Sequence, residues 1–143
     1  MINILSGINA TASALNAERI RMEVISQNIA NANTTHDVDG KPYQRQQVVF
    51  EKVLSQQQGL PAFGAGETSV QVARIEKDRR PPNLVFNPGH PDADANGMVA
   101  MPNISIHEEM ADLIVSSRAF EANLAVVRNA RTLALQTLSI GKR

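Results

Sequence analysis

The residues best suited to metal chemistry in this 143-residue chain lie in one short acidic segment. Asp92, Asp94 and Asn96 alternate along the chain and are followed by Gly97, as in the first half of a calcium-binding loop. The twelfth position of such a loop would be Asn103, which cannot supply the bidentate carboxylate that closes it. The segment therefore favours a tight turn in which carboxylate side chains accept hydrogen bonds from the nearby backbone.

The three histidines, His36, His90 and His107, are widely separated and lack the spacing of metal ligands. Each lies near an acidic residue, so we expect solvated surface or loop histidines. The sequence contains no G-x-S-x-G, no phosphate-binding glycine loop, no H-E-x-x-H and no cysteine. It therefore predicts no catalytic residue, no metal site and no cofactor, and an enzyme or a calcium module is the least favoured interpretation.

The charge balance excludes two further classes of function. Fourteen basic and fourteen acidic residues cancel, so there is no positive footprint for nucleic acid or for an anionic membrane. The longest basic run, Lys77 to Arg80, contains Asp78 and is predicted to be a solvated face. No segment has the length of a membrane span, and the first residues do not have the pattern of a secretory signal. Taken alone, these features predict a cytoplasmic protein.

The strongest structural signal is the segment 105–140, which contains neither glycine nor proline. Its apolar residues recur every three or four positions for more than four heptads, the period of a coiled coil. Ser105 and Glu108 have the spacing of an N-terminal capping box, and Gly141 is placed to end the helix in a left-handed conformation. We predict one long C-terminal helix.

A second helix is predicted from residue 2 to about residue 32. Ile8, Leu15, Met22 and Ile29 recur every seven residues, and Ile25 lies on the same side. The helix should end in the segment 28–35, because its asparagine and threonine side chains compete for backbone hydrogen bonds.

The middle of the chain, residues 34–102, contains all seven prolines and several short β-prone runs. The predicted strands are Gln46–Leu54, Ser69–Ile75, Leu84–Phe86 and Met98–Met101. The alternation of apolar side chains changes face near Ala73, which predicts a bulge there.

The fold class predicted from these patterns is mainly α with a small β-rich insert, in which the long terminal helices pair as a coiled coil and the chains assemble helically. The predicted divisions are an N-terminal helix (1–33), an irregular β-rich central segment (34–102) and a C-terminal coiled-coil helix (103–143). With five aromatic residues the core must be thin. The helices could form a two-helix core within one chain, but packing against other subunits is favoured, and the free chain would then have frayed ends.

Seven segments together resemble the bacterial flagellar axial proteins of the rod and hook, and especially the proximal-rod members of that family. One of them, 117–123, has phenylalanine at Phe120 where the family often has tyrosine. The match covers nearly the whole chain, and the motifs occur in the family's order. The segments are 6–8, 28–34, 39–46, 82–97, 101–104, 109–110 and 117–123.

This resemblance implies a structural subunit of the proximal rod of the flagellar basal body, which transmits torque between rotor and hook. The implied partners are other rod proteins, copies of the same chain, and the adaptor of rotor and export gate at the base of the rod. The family is exported by flagellar type III secretion without a cleaved signal peptide. The implied location is therefore the periplasmic rod.

The resemblance also assigns candidate site residues. The expected assembly interface consists of apolar residues in both terminal helices, and a set of polar residues is expected to select one helical register. A cytoplasmic coiled-coil adaptor, or another rod or hook component, remains the alternative. The interface residues are Ile8, Leu15, Met22, Ile25, Ile29, Met110, Leu113, Phe120, Leu124, Val127 and Leu138. The polar residues are Asn28, Asn31, Asn33, Thr34, Arg118 and Asn123.

Overall fold

The structure is a computed structural model that describes residues 4–55 and 67–141. Helix α1 comprises Ile4–Ala30 and helix α2 comprises Ile106–Ile140. Both predicted helices are confirmed to within two residues at every end that the description covers. The first two residues of the predicted N-terminal helix, 2 and 3, lie outside the described residues. Neither helix interior contains proline, and Gly7 is the single glycine in either of them.

The two ends of α2 differ from the predicted caps. The Ser105 side chain accepts a hydrogen bond from the Glu108 backbone N–H at 3.5 Å, but no bond from the Glu108 side chain to the Ser105 backbone is present. At the other end Gly141 has φ −74° and ψ −4°, which is a right-handed conformation. The prediction of a left-handed stop was wrong because Gly141 continues the helical turn and donates to Thr137 O at 3.2 Å.

Strands β1 (Gln46–Ser55) and β2 (Glu67–Lys77) form an antiparallel hairpin. Val49 pairs with Arg74 while the next residue, Phe50, pairs with Val72. Ala73 is therefore left without an opposite residue, which confirms the bulge predicted from the change of face in the sequence. The remaining register is regular from Gln46 opposite Lys77 onward.

Strands β3 (Asn83–Phe86) and β4 (Met98–Met101) form a second antiparallel hairpin, as predicted. Its loop contains the acidic segment, where the Asp94 carboxylate accepts hydrogen bonds from the backbone N–H groups of Asn96 and Met98, both at 2.8 Å. This confirms the tight turn expected in place of a calcium loop. Gly97 has φ +73°, and a Cβ there would lie 3.0 Å from the Phe86 ring.

Helix α1 is the central element of the fold. It contacts α2 and both strands of the β1–β2 hairpin, whereas among the described elements the strands β1 and β2 do not contact α2. The helices run antiparallel, because Asn28 near the end of α1 meets Glu109 near the start of α2. Arg21, two turns earlier in α1, then faces Asp112 in the next turn of α2.

The core is thin, as the shortage of aromatic residues predicted. Apart from Pro102, only six apolar residues among those described are buried, and most of them lie on α1 or beside its C-terminal end. None of the helices in the described part of the chain is both long and apolar enough to cross a membrane. These six residues are Ala17, Val24, Ile25, Ala32, Tyr43 and Val99.

Candidate assembly interface

Asn28 uses the full hydrogen-bonding capacity of its buried side chain. Its Nδ2 donates to Gln46 O at 2.9 Å and to Glu109 Oε2 at 3.0 Å. Its Oδ1 accepts from the Gln46 backbone N–H at 2.9 Å and from the Tyr43 hydroxyl at 3.2 Å. An amide side chain has two donor hydrogens and two acceptor lone pairs, so none is left unpaired. One residue thereby joins α1, the start of β1 and α2.

The second buried polar group of this junction is Glu109, whose side chain is 1% exposed. Its Oε2 accepts from Asn28, and its Oε1 accepts from Arg45 Nε. A buried carboxylate is tolerated when a cation and further hydrogen bonds compensate for its lost hydration. We call the four side chains Asn28, Tyr43, Arg45 and Glu109 the polar junction.

Two longer ion pairs lie at the edge of the polar junction. Asp112 Oδ2 is 4.0 Å from Arg45 and Asp112 Oδ1 is 3.9 Å from Arg21, and the side chains of Asp112 and Arg21 are partly exposed. Burial raises the pKa of the Tyr43 phenol above its ordinary value of 10.0, and the negative charges of Asp37 and Glu109 add to the effect. The junction therefore favours a neutral tyrosine that donates to Asn28.

The predicted apolar interface residues of α1 all lie toward the interior to some extent. Ile25 is buried, and the remaining four are partly buried within the chain. Those four are Ile8, Leu15, Met22 and Ile29.

On α2 the predicted interface residues divide into two groups. The four in the middle of the helix are partly buried, whereas Met110 near the start is 51% exposed and Leu138 near the end is 67% exposed. The structure thus brings the middle of the predicted row against the rest of the chain and leaves its two ends uncovered. The four partly buried residues are Leu113, Phe120, Leu124 and Val127.

The predicted polar residues lie in different environments. Asn28 belongs to the polar junction, and Asn31 accepts from the Thr34 hydroxyl at 3.2 Å in the turn after α1. Asn33 and Arg118 are exposed. Asn123 is partly buried on α2 and makes no side-chain hydrogen bond to another described residue.

The sequence did not reveal the burial of Glu109 and Ser116 or the ion pair that the partly buried Arg45 makes with Glu109. Glu109 and Ser116 are the two buried residues of α2, and Arg45 precedes β1. Glu109 and Ser116 are seven residues apart, so the heptad period itself was the available signal, but a search for apolar residues passes over them. The Ser116 hydroxyl and Glu18 Oε2 are buried without a hydrogen-bond partner within the described residues.

The far end of α2 carries an uncovered apolar surface. Counted from the Asn28–Glu109 contact, α1 continues for 24 residues to Ile4, whereas α2 continues for 31 residues to Ile140. The last seven residues, about 10 Å of helix, therefore extend past the described start of α1. We call the exposed apolar residues in this part of α2, together with Leu133 immediately before it, the distal patch: Leu133, Leu135, Leu138 and Ile140.

Two of the three histidines, His36 and His90, flank Asp92 where the loop after α1 meets the β3–β4 hairpin. Asp92 Oδ2 accepts from the Thr35 hydroxyl at 2.7 Å, and the imidazoles of His36 and His90 lie 3.4 Å and 3.7 Å from its carboxylate. The bond from Thr35 lowers the pKa of Asp92, and the two imidazoles act in the same direction. This contact fastens the loop after α1 to the β3–β4 hairpin, and His107 lies exposed on α2.

Comparison with known protein families shows which class of protein has these two helical segments. A family model described as flagella basal body rod protein matches residues 8–35, which contain most of α1 and the turn after it. A second, described as flagellar basal body rod FlgEFG protein C-terminal, matches residues 95–140, which contain α2. The helices that meet at the polar junction are thus the two segments typical of flagellar rod proteins.

Relatives that extend over the whole chain define the family more narrowly. The chain is 39% identical to a flagellar basal-body rod protein FlgC of Yersinia enterocolitica, over 99% of this chain and 100% of the relative. It is 38% identical to the protein of that name from Borreliella burgdorferi, over 97% and 98%. The Bacillus subtilis protein of the same name is 38% identical over 94% and 96%. The chain belongs to the FlgC family of flagellar basal-body rod proteins, which confirms the resemblance noted in its motifs.

Proposed function

We propose that this chain is a proximal-rod subunit that transmits torque between rotor and hook. Membership of the FlgC family makes it a structural subunit of the flagellar basal-body rod. The finer assignments, which concern the proximal position, the coiled-coil packing and the contacts with neighbours, are our proposal. We also retain the division into 1–33, 34–102 and 103–143 as part of it.

The observation that carries this proposal is the exposed apolar surface of α2. Nine large apolar side chains of this helix are at least 39% exposed, although α1 packs along it. An apolar surface of this kind normally marks a contact with another protein. The exposed residues are Ile106, Met110, Ile114, Val115, Val126, Leu133, Leu135, Leu138 and Ile140.

We propose that α1 and α2 of one chain form a coiled coil with helices of neighbouring subunits. The predicted interface residues Met110 and Leu138 would then become buried in the assembly, and the partly buried ones would lose their remaining exposure. Supporting this, the heptad rows continue along α2 past the described start of α1. Buried polar groups would select one register among several apolar ones.

The register hypothesis is tested by replacing Asn123, the partly buried polar residue of α2. Asn123→Leu should leave the helical content of the purified chain unchanged, because leucine is a strong helix former. We expect reduced swimming, since an apolar residue permits alternative registers. Asn129→Leu, at an exposed position of the same helix, is the matched control. Normal swimming of the Asn123→Leu strain would refute the register role.

We further propose that the chain leaves the cytoplasm through flagellar type III secretion without a cleaved signal, and that it meets the adaptor of rotor and export gate at the rod base. Fractionation of the tagged chain, in cells with and without a working export system, tests the export route directly. We expect intact chain in purified basal bodies of the first strain and cytoplasmic chain in the second. Cytoplasmic chain in both strains would instead support a coiled-coil adaptor.

A further inference from the structure

A fully exposed valine stands at the tip of a rigid turn. Val38 is 100% exposed and lies between Asp37 and Asp39. The turn is held by three bonds of 2.8 Å: Asp37 N–H to Lys41 O, Gly40 N–H to Asp37 O, and Val38 N–H to Asp37 Oδ1. Gly40 has φ +69°, a left-handed conformation that closes the turn at low steric cost. We call this feature the acidic knob.

The acidic knob is fixed to the rest of the molecule at its base. The Tyr43 backbone N–H donates to Thr34 O at 3.1 Å, and Thr35 donates to Asp92 in the β3–β4 hairpin. An apolar side chain displayed in this manner has a defined direction, unlike one on a loosely held loop. Its complete exposure also shows that Val38 does not fill any cavity of its own chain.

A groove with complementary properties lies next to the polar junction. Its cavity has a volume of about 160 Å³, and its walls include Pro42, Tyr43, Pro82 and Pro102. The charged residues that line it are three basic side chains and one acidic side chain. We call it the proline groove, and its charged residues are Lys41, Arg45, Arg80 and Asp78.

The free charge at the rim of the proline groove is positive. Arg45 is paired with Glu109, and Arg80 is paired with Asp78 at 2.6 Å. Lys41 is exposed and forms no ion pair with another described residue. A small apolar cavity with an uncompensated cation at its edge fits an apolar side chain that has a carboxylate beside it. The acidic knob presents this combination.

We infer that the acidic knob of one copy inserts into the proline groove of the next copy in the rod, with Val38 in the cavity and Asp39 beside Lys41. The inference rests on the proposed function, because it requires copies of the chain to be neighbours. The knob and the groove are adjacent and share Lys41. Insertion of each knob into the groove of the next copy is a head-to-tail contact, and contacts of this type repeat into rings or helical filaments.

The contact is small, and this determines how it can be observed. One buried valine and one exposed charge pair cannot hold two free chains together. Within an assembly that already holds the copies side by side, the same contact gains from a high effective concentration. The test must therefore be made in assembled rods.

The sequence contains no cysteine, which allows a clean cross-linking test. Two distinguishable tagged chains, one with Val38→Cys and one with Asn103→Cys in the groove wall, are produced together and oxidised in isolated basal bodies. Because a disulfide needs Cα atoms within about 7 Å, a mixed dimer reports knob-to-groove contact. As the matched control, the Asn103→Cys chain is replaced by Glu51→Cys, an exposed residue on β1 outside the groove.

We expect a mixed dimer several-fold more abundant with Asn103→Cys than with Glu51→Cys. Equal yields would overturn the inference, as would a dimer that Val38→Cys forms with itself alone. A charge exchange gives an independent test if the cysteine variants fail to assemble. Asp39→Lys and Lys41→Glu should each reduce swimming and their combination should restore it, whereas additive losses would overturn the contact. Absence of the wild-type chain from basal bodies would instead refute the proposed function.

Discussion

The two ends of the α1–α2 pair are built in opposite ways. At one end the polar junction buries Asn28 and Glu109 with every side-chain hydrogen bond of Asn28 made inside the chain. At the other end the distal patch exposes four large aliphatic side chains, up to 75% for Ile140. The first end is satisfied by the chain itself, whereas the second offers apolar surface that the described chain does not cover.

Under the proposed function, this difference separates the contacts that fold the chain from the surface that joins it to neighbouring subunits. Unpaired buried polar groups are costly, so the junction specifies a single arrangement of α1, β1 and α2. Apolar contacts are less specific in geometry and can form with any complementary helix. We therefore expect substitutions in the junction to reduce the free energy of unfolding, and substitutions in the distal patch to affect assembly with little effect on folding.

The largest expected loss of stability is for Arg45→Met. The substitution keeps much of the side-chain length but leaves the buried Glu109 carboxylate without its cation. Removing one partner of a buried ion pair typically costs about 3–5 kcal/mol, because the remaining charge is still dehydrated. Urea denaturation of the purified chain, followed by circular dichroism, measures this loss.

Arg19→Met is the matched control for that experiment. Arg19 pairs with Glu23 at 4.0 Å, and both side chains are about 60% exposed. Exposed pairs contribute roughly 0–1 kcal/mol, so this variant should unfold at nearly the wild-type urea concentration. Equal effects of the two substitutions would show that Glu109 does not depend on Arg45.

A smaller loss, about 2–4 kcal/mol at neutral pH, is expected for Asn28→Asp, because two donor hydrogens are lost and a carboxylate is placed against Glu109. In the folded chain the pKa of the introduced carboxyl should lie above its unfolded value. The destabilisation should therefore be complete above that folded pKa and be relieved as the pH falls through it. The difference in unfolding free energy from wild type, measured at about pH 7 and about pH 4, tests this sign.

The control for the aspartate substitution is Asn33→Asp, at an exposed position in the turn after α1. It introduces the same charge without a buried partner, so we expect little change at either pH. An Asn28→Asp penalty that is the same at both pH values would indicate lost packing as its cause, and would contradict the electrostatic account.

A loss of roughly 0.5–1.5 kcal/mol is expected at neutral pH for Tyr43→Phe, which removes the hydrogen bond to Asn28 Oδ1. The pKa of the Tyr43 phenol is raised above 10.0 in the folded chain, chiefly by burial. The unfolded chain then loses this proton at a lower pH than the folded chain does. The contribution of Tyr43 to stability should therefore decline as the pH rises past about 10.

Tyr43 is the single tyrosine and there is no tryptophan, so the ultraviolet absorbance of tyrosinate reports this residue alone. We expect its titration midpoint to lie above 10.0 in the folded chain and to return toward that value in denaturant. Identical midpoints in the two states would contradict the burial of the phenol at the junction.

The sequence predicted the elements of this fold better than it predicted the contacts between them. The local periodicity of apolar residues predicted the helices, the strands and the Ala73 bulge, and the structure contains each of them close to its predicted position. The left-handed stop at Gly141 failed because glycine permits that conformation without requiring it.

Within the candidate site, Asn28 was identified from the sequence as a site residue, but the other members of the polar junction were not. Tyr43, Arg45 and Glu109 are separated from it by 15 to 81 residues along the chain, and hydrogen bonds over such distances depend on the tertiary arrangement. The burial of Glu109 was missed for a second reason, since a buried acidic residue in a heptad row resembles a solvated one when only the sequence is known.

The smallest effect on stability, below about 0.5 kcal/mol, is expected for Leu138→Ser in the distal patch. Leu138 is 67% exposed, so the substitution removes little apolar surface that is buried in the free chain. If a neighbouring subunit covers the patch, the same change should sharply reduce both swimming and the amount of chain in isolated basal bodies. Gln136→Ser, at an exposed polar position of the same helix, should alter neither. Basal bodies with a normal content of the Leu138→Ser chain would show that this end needs no covering helix. The two ends of the pair would then differ in composition without differing in role.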